Sequence, residues 1–153
     1  MDILNKGEKM KWHYIKMVLI VLGAIFNCYM GVMYISGDLY ELSGVNPEIV
    51  YDVCGNFLKT VDVVYGVICI IIATISICIC ISLKKRKKNS HKTFTCFYFI
   101  TLGINVIYNI FVAIIMEKYT IALSSILYAV GYGMFAYVDY NYYYKNREYM
   151  FIN

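Results

Sequence analysis

Four polar side chains stand within or beside long apolar stretches of this sequence: Asn27, Asp62, Asn105 and Asn109. Asparagine in an apolar helix commonly hydrogen-bonds to a neighbouring helix, and an acidic residue in such a setting marks a functional site by default. We therefore expect these residues to join helices, or to form a polar ligand site inside a bundle. For Asp62 the alternatives are a helix N-terminal cap and the titratable group of a proton-coupled carrier.

Tyrosines are numerous enough to line such a site, since the chain contains 17 of them. Aromatic faces can hold a flat or cationic ligand, whereas the alternative is that these rings fill space or form interfacial belts. Those in the apolar stretches are Tyr29, Tyr65, Tyr98, Tyr108, Tyr128 and Tyr132.

Other residue types capable of chemistry do not form recognisable sites. Most of the cysteines lie in apolar stretches, where a free cysteine behaves as a small hydrophobe. Cys54 is the cysteine expected to face the outside, where it could form an intermolecular disulfide. His13 and His91 are expected on loops, and no nucleotide-binding glycine loop or nucleophile set is present. The sequence thus predicts a protein that is not an enzyme and has no cofactor or metal.

The elements that must position these residues are helices. Hydrophobic residues make up 61% of the chain and charged residues 16%, against about 25% charged in an ordinary soluble domain. The apolar residues fall into blocks of about 20 residues, the length a helix needs to cross a bilayer core. We predict an all-α integral membrane protein, an antiparallel bundle of four transmembrane helices in one domain covering residues 1–153. The predicted spans are residues 17–36, 61–83, 94–116 and 119–138.

The segment between the first two spans has a helix signal of its own. Asn46-Pro47-Glu48 reads as an N-cap, a proline at the first helical position and an early acid. Apolar and polar residues then alternate at helical spacing, which predicts a short amphipathic helix over residues 47–59 on the outer membrane surface. It would serve as an elbow leading into the second span, or as a lid over an outward-facing pocket.

Basic residues indicate the orientation. Twelve of the 14 Lys and Arg residues lie in the N-terminal segment, the loop at residues 84–93 and the C-terminal tail. By the positive-inside rule, both termini of a multi-pass protein of the plasma membrane should be cytoplasmic. Lys16, just before the first span, should snorkel to the inner surface. The loop contains a basic run that is expected to contact anionic lipids rather than nucleic acid: Lys84, Lys85, Arg86, Lys87 and Lys88.

Small residues recur every three or four positions in the spans, which is the spacing that lets helices in lipid approach closely. Such faces fit either a closed four-helix bundle or the seam of a homodimer. The predicted packing stripe consists of Gly23, Gly31, Gly66, Ala73, Ser76, Ser125, Ala129 and Gly133.

Several short motifs carry a family resemblance. They are Trp12 before the first span, Asn27-x-x-x-Gly31-x-x-Tyr34 within it, Asp62-x-x-Tyr65-Gly66 in the second, and the Tyr- and Lys/Arg-rich tail at residues 142–147. With the basic loop, they make the chain resemble small four-span membrane proteins of unknown function from low-GC Gram-positive bacteria. The resemblance implies a bacterial four-helix membrane fold and no particular activity.

Two functions remain as expectations. The first is an accessory, regulatory or immunity-type subunit that acts through helix–helix contacts with a partner membrane protein or a second copy. The small-residue faces and the scarcity of charge within the spans favour it. The alternative is a small homo-oligomeric transporter or channel with a polar and aromatic site inside the membrane.

Overall fold

The computed structural model describes residues 3–144, with the side chains of residues 12–118, 121, 123, 126, 127 and 129–142. Every regular element in that part of the chain is an α-helix, so the predicted all-α class is confirmed. The helices are α1 (Ile3–Ser36), α2 (Asp38–Leu42), α3 (Pro47–Cys54), α4 (Asn56–Lys84), α5 (Ser90–Ile115) and α6 (Tyr119–Tyr144).

Three of these helices are long and apolar enough to cross a membrane: α1 from Trp12 to Ser36, and α4 and α5 over their whole lengths. Their most apolar stretches have mean hydropathies of 2.1, 2.8 and 2.0. Large apolar side chains, such as Leu22, Ile71 and Ile107, lie exposed on their outer faces. Soluble proteins rarely expose so much contiguous apolar surface, so these faces are suited to lipid.

The segment between α1 and α4 differs in detail from its prediction. Asn46 caps α3 as expected, its side chain accepting a hydrogen bond of 2.9 Å from the backbone N–H of Glu48. The helix ends at Cys54 rather than continuing to residue 59, because Gly55 adopts a φ of 85°, which a continuing right-handed helix does not allow. The short helix α2, which the sequence did not predict, follows Gly37, another glycine with positive φ.

The long helices pack as two antiparallel hairpins. We call α1 with α4 the first hairpin and α5 with α6 the second; α4 and α5 also touch. One end of the bundle carries the turn at residues 85–89 and is called the basic end. The other carries α2 and α3 and is called the loop end.

The first hairpin is tightest where two glycines meet. A Cβ added to Gly66 would lie 2.6 Å from the backbone oxygen of Gly31, and a Cβ added to Gly31 would lie 2.8 Å from that of Gly66. Both distances are shorter than real Cβ contacts. The two backbones therefore touch directly, as small residues allow in packed membrane helices.

Buried side chains gather at both ends of the bundle. At the loop end, Leu58, Cys69 and Val112 pack around Tyr65 and Tyr108. At the basic end, a smaller core forms from other residues: Ile79, Leu83 and Phe94. Buried charged side chains accompany both cores and define the candidate sites: Asp62 at the loop end, and Lys16 with Asp139 at the basic end.

Candidate functional site

The Asp62 cluster lies at the loop end and consists of Asp62 with Tyr40, Tyr51 and Tyr108. Asp62 is 0% exposed. Its Oδ1 accepts a hydrogen bond of 2.8 Å from the Tyr108 hydroxyl, and its Oδ2 accepts bonds of 2.8 Å and 3.3 Å from Tyr40 and Tyr51. Three elements, α2, α3 and α5, thereby converge on one carboxylate of α4. Asp62 lies in the second turn of α4 and makes side-chain contacts between elements, which is more than a helix N-terminal cap would do.

A tyrosine stack extends this cluster toward the middle of the bundle. The rings of Tyr65 and Tyr108 stack with centroids 3.7 Å apart and an interplanar angle of 8°. Tyr34 meets both rings edge-on, with centroid distances of 4.9 Å to Tyr65 and 5.3 Å to Tyr108. The Tyr65 hydroxyl donates a hydrogen bond to Oδ1 of Asn105. Aromatic and polar contacts therefore connect α1, α4 and α5.

The two tyrosines contributed by α2 and α3 resist ionisation. Burial raises the pKa of Tyr51 to about 12, with a further contribution from the negative charge of Asp62. Burial and the hydrogen bond to Asp62 raise the pKa of Tyr40 even further. Both hydroxyls keep their protons at physiological pH and can donate to the carboxylate.

The three asparagines of the predicted polar site are not brought together. Asn27 donates to the Gly23 carbonyl oxygen of its own helix at 2.8 Å, and Asn109 donates to that of Asn105 at the same distance. Asn105 also donates to its own helix, at Thr101, but its oxygen accepts the bond from Tyr65. Among the three, Asn105 is the one that the structure shows bonding to another helix.

An ion pair lies at the basic end, joining α1 to α6. Lys16 Nζ lies 2.6 Å from Oδ2 of Asp139, and the two side chains are 0% and 2% exposed. The Lys16 ammonium also sits 3.8 Å from the centroid of the Phe94 ring. Lys16 was expected to snorkel to the membrane surface. It turns inward instead, because a buried partner of opposite charge is within its reach.

The surroundings of this ion pair were not expected from the sequence either. His13 and His91, predicted on loops, lie in α1 and α5 and are buried. Trp12 packs against Phe135 and Tyr142, with centroids 6.0 Å and 6.2 Å away. The described residues contain no group of three or more His, Cys, Asp or Glu that could hold a metal ion.

A cavity of about 250 Å³ adjoins the ion pair and is walled by all four long helices. Its surface is mostly apolar, as ligand sites between bundle helices usually are. Its polar side chains are Lys16, Asn27, Ser76 and Thr101, and its aromatic rings are Phe94, Phe97, Tyr98, Tyr132 and Phe135. The arrangement can hold a small, mainly apolar molecule and offer it a few hydrogen-bonding groups.

The six tyrosines that were expected to line one ligand site therefore lie in different parts of the structure. Tyr65 and Tyr108 belong to the loop-end stack, Tyr98 and Tyr132 line the cavity, and Tyr29 is exposed. The side chain of Tyr128 lies outside the described residues.

The residues of the predicted packing stripe also have different positions. Gly31 and Gly66 meet at the helix crossing, Ala73 is buried and Ser76 lines the cavity. A Cβ added to Gly23 or Gly133 would meet no described atom within 4 Å. Ala129 is half-buried, and the side chain of Ser125 lies outside the described residues.

The predicted lipid-contacting run forms the end of α4 and the turn at the basic end. Arg86 adopts a positive φ of 51° in that turn. Its side chain is half-buried, while Lys84, Lys85, Lys87 and Lys88 are exposed. All six cysteines are free in the structure, and Cys54 is half-buried.

Comparison of the chain with protein-family profiles, with curated proteins and with solved structures finds no match.

Proposed function

We propose that this chain is a small, non-enzymatic multi-pass membrane protein that binds a small, mainly apolar molecule inside its bundle and carries it across the membrane. The observation that carries this proposal is the cavity of about 250 Å³ to which all four long helices contribute. An apolar cavity of about 150 Å³ is enough to bind benzene. The cavity described here therefore has room for a bicyclic ring system.

Buried polar contacts at both ends support transport rather than binding alone. A carrier has to open one end of its bundle while the other end stays closed. The Lys16–Asp139 pair holds α1 to α6 at the basic end, and the Asp62 cluster holds α2, α3 and α5 to α4 at the loop end. Breaking either set of contacts would release one end.

The same observations make the accessory-subunit role the second choice. That role relied on small-residue faces available to a partner and on a scarcity of charge within the spans. Gly31 and Gly66 pack against each other inside the chain, and Lys16, Asp62 and Asp139 are buried. Buried ionisable groups in a membrane helix typically serve a ligand or ion pathway.

The proposal includes four membrane crossings with both termini in the cytoplasm. α6 has 26 residues, which at 1.5 Å per residue makes it long enough to span a bilayer core of about 30 Å. Single cysteines at position 86 and at position 117, in a background without the native cysteines, test this topology in intact cells. A membrane-impermeant maleimide should label position 117 and leave position 86 unlabelled.

The binding test uses indole, a neutral bicyclic molecule, titrated calorimetrically into purified protein in detergent. Thr101→Phe should fill the cavity and weaken binding by at least about tenfold. Ile100→Phe is the matched control, because Ile100 is 60% exposed on the same helix turn. Equal binding by the two variants would place the ligand elsewhere, and no binding by the wild type would exclude this ligand class.

Transport is tested without a known substrate, through the accessibility of the cavity. A Thr101→Cys variant, in the background without native cysteines, is reconstituted in oriented vesicles and labelled from either side with an impermeant thiol reagent. A carrier should react from both sides. Reaction from one side alone would contradict transport and favour a receptor or accessory subunit. The mass of the detergent-solubilised complex then tests the predicted homo-oligomer or partner chain.

A further inference from the structure

We propose that Asp62 is the anionic centre of a second binding site, one for an organic ammonium ion, which α2 and α3 cover in this structure. The site lies at the loop end and is separate from the cavity. It is built from the Asp62 cluster and the adjoining tyrosine stack, so its components come from five helices.

The first argument is charge. Asp139, the other buried carboxylate at an end of the bundle, is paired with a lysine. Within the described residues, Asp62 is paired with no cationic side chain and is held by three hydroxyl groups alone. A carboxylate withdrawn from water without a counter-charge is strongly disfavoured. The site therefore favours a ligand that brings a positive charge.

The second argument is the kind of surface beside the carboxylate. Tyr34, Tyr65 and Tyr108 contact one another edge-on and by stacking, which fixes a set of aromatic rings next to Asp62. Ammonium ions are attracted to aromatic faces, and quaternary ammonium ligands are commonly bound by aromatic cages. A carboxylate with aromatic neighbours is the combination that recognises an alkylammonium group.

The third argument concerns the segment with α2 and α3, which covers Asp62. The segment bearing α2 and α3 runs between Gly37 and Gly55, whose φ angles are 84° and 85°. Tyr40 and Tyr51 of this segment pack edge-on, 5.5 Å apart, and both donate to Oδ2 of Asp62. Tyr108 donates to Oδ1. An ammonium group bound at Oδ2 would replace the hydrogen bonds from Tyr40 and Tyr51 and leave the bond from Tyr108 in place.

The geometry assigns each residue a distinct effect on affinity. Asp62→Asn keeps the side-chain shape and removes the charge, so it should weaken ammonium binding by at least about thirtyfold. The double variant Tyr40→Phe with Tyr51→Phe keeps the rings and removes the competing hydroxyls, so it should tighten binding about two- to tenfold. Asp52→Asn removes an exposed carboxylate from α3 and serves as the matched control for surface charge.

The experiment titrates benzyltrimethylammonium into the full chain in detergent and follows the thermal unfolding midpoint. Neopentylbenzene, its neutral carbon isostere, is titrated in parallel. We expect benzyltrimethylammonium to raise the midpoint of the wild type and of Asp52→Asn more than that of Asp62→Asn. Neopentylbenzene carries no charge and fits the apolar cavity, so any rise that it causes should be the same in the wild type and in Asp62→Asn and should be lost in Thr101→Phe. The proposal is overturned if Asp62→Asn responds to benzyltrimethylammonium as the wild type does, or if the wild type does not respond to it.

If the Asp62 variant does not fold, the double variant Tyr40→Phe with Tyr51→Phe decides the question. Tighter binding by this variant than by the wild type supports the site, and unchanged or weaker binding overturns it. Failure here is distinguishable from failure of the proposed transport role, because that role is tested at Thr101, by indole binding and by labelling of Thr101→Cys from both sides.

Discussion

The glycine crossing in the first hairpin yields the most direct prediction about stability. In Gly66→Ala, the new methyl group would lie 2.6 Å from the Gly31 backbone oxygen and 2.8 Å from Ile35 Cγ1. The backbone oxygen cannot rotate away as a side chain can, so the helices have to separate by roughly 1 Å. A gap of that size removes about a quarter to a half of the attraction energy of each van der Waals contact that it widens.

The magnitude follows from two opposing contributions. Overpacking of this kind costs about 1–3 kcal/mol, while replacing glycine by alanine within a helix returns up to about 1 kcal/mol. Gly23→Ala in α1 is the matched control, because its methyl group would meet no described atom within 4 Å. The difference between the two variants isolates the steric cost, and it should be about 1–3 kcal/mol in favour of Gly23→Ala.

The assay is equilibrium unfolding in mixed micelles, with increasing fractions of a denaturing detergent and helix content followed by circular dichroism. Gly66→Ala should unfold at a lower fraction than the wild type, and Gly23→Ala at the same fraction or a higher one. If Gly66→Ala proves as stable as Gly23→Ala, the close approach of the backbones at Gly31 and Gly66 is wrong.

Two further predictions concern the buried polar groups. Lys16→Met and Asp139→Leu should each lower the free energy of unfolding by about 3–5 kcal/mol, because each leaves a buried charge without its partner. The double variant should recover most of that loss, because it leaves no unpaired charge. Additive losses in a double-mutant cycle would argue against the ion pair. Burial raises the pKa of Tyr51 to about 12, so the folded protein keeps a proton that the unfolded chain releases above its ordinary pKa of about 10. The free energy of unfolding should therefore fall as the pH rises from about 10 to about 12, and it should fall less steeply in Tyr51→Phe. Unfolding experiments across that pH range measure both slopes. Equal slopes in the wild type and the variant would count against the contact of Tyr51 with Asp62.

The long helices could be predicted because their signal is simple. A run of apolar residues long enough to cross a bilayer has few alternatives to a helix, since backbone polar groups in lipid have to be satisfied within the segment. The turn at residues 116–118 between α5 and α6 falls where Glu117-Lys118 interrupts the apolar residues. In the described part of the chain, α1, α4 and α5 each contain a stretch that is long and apolar enough to cross a membrane.

The details that a single residue decides were harder to predict. The amphipathic pattern of residues 47–59 continues across Gly55, and nothing in the pattern reveals that this glycine adopts a φ of 85° and ends α3. Gly55 is both the C-cap of α3 and the N-cap of α4, so its φ changes the direction of the chain between two helices. That information lies in the tertiary structure, not in the segment.

The contacts of the polar residues were the least predictable. Whether an asparagine bonds to its own helix or to another depends on which residue stands opposite, as Asn27 and Asn105 show. The Lys16–Asp139 pair did leave a signal, because two opposite charges border spans that end on the same side of the bundle. The pairs of Asp62 with Tyr40 and Tyr51 left none, because the loop path that brings them together is set by Gly37 and Gly55.

The division into two hairpins has a consequence for how the molecule is assembled. Within the first hairpin, the glycine backbones provide the close contact, and it needs no residue from α5 or α6. The bonds from Tyr108 to Asp62 and from Tyr65 to Asn105, and the Lys16–Asp139 pair, all run from one hairpin to the other.

Polar side chains in packed membrane helices commonly hydrogen-bond from one helix to another. The first hairpin therefore has a close contact of its own, and polar bonds join it to the second hairpin. A gene divided in the turn at residues 85–89 should produce two fragments that find each other in the bilayer and restore the complete protein.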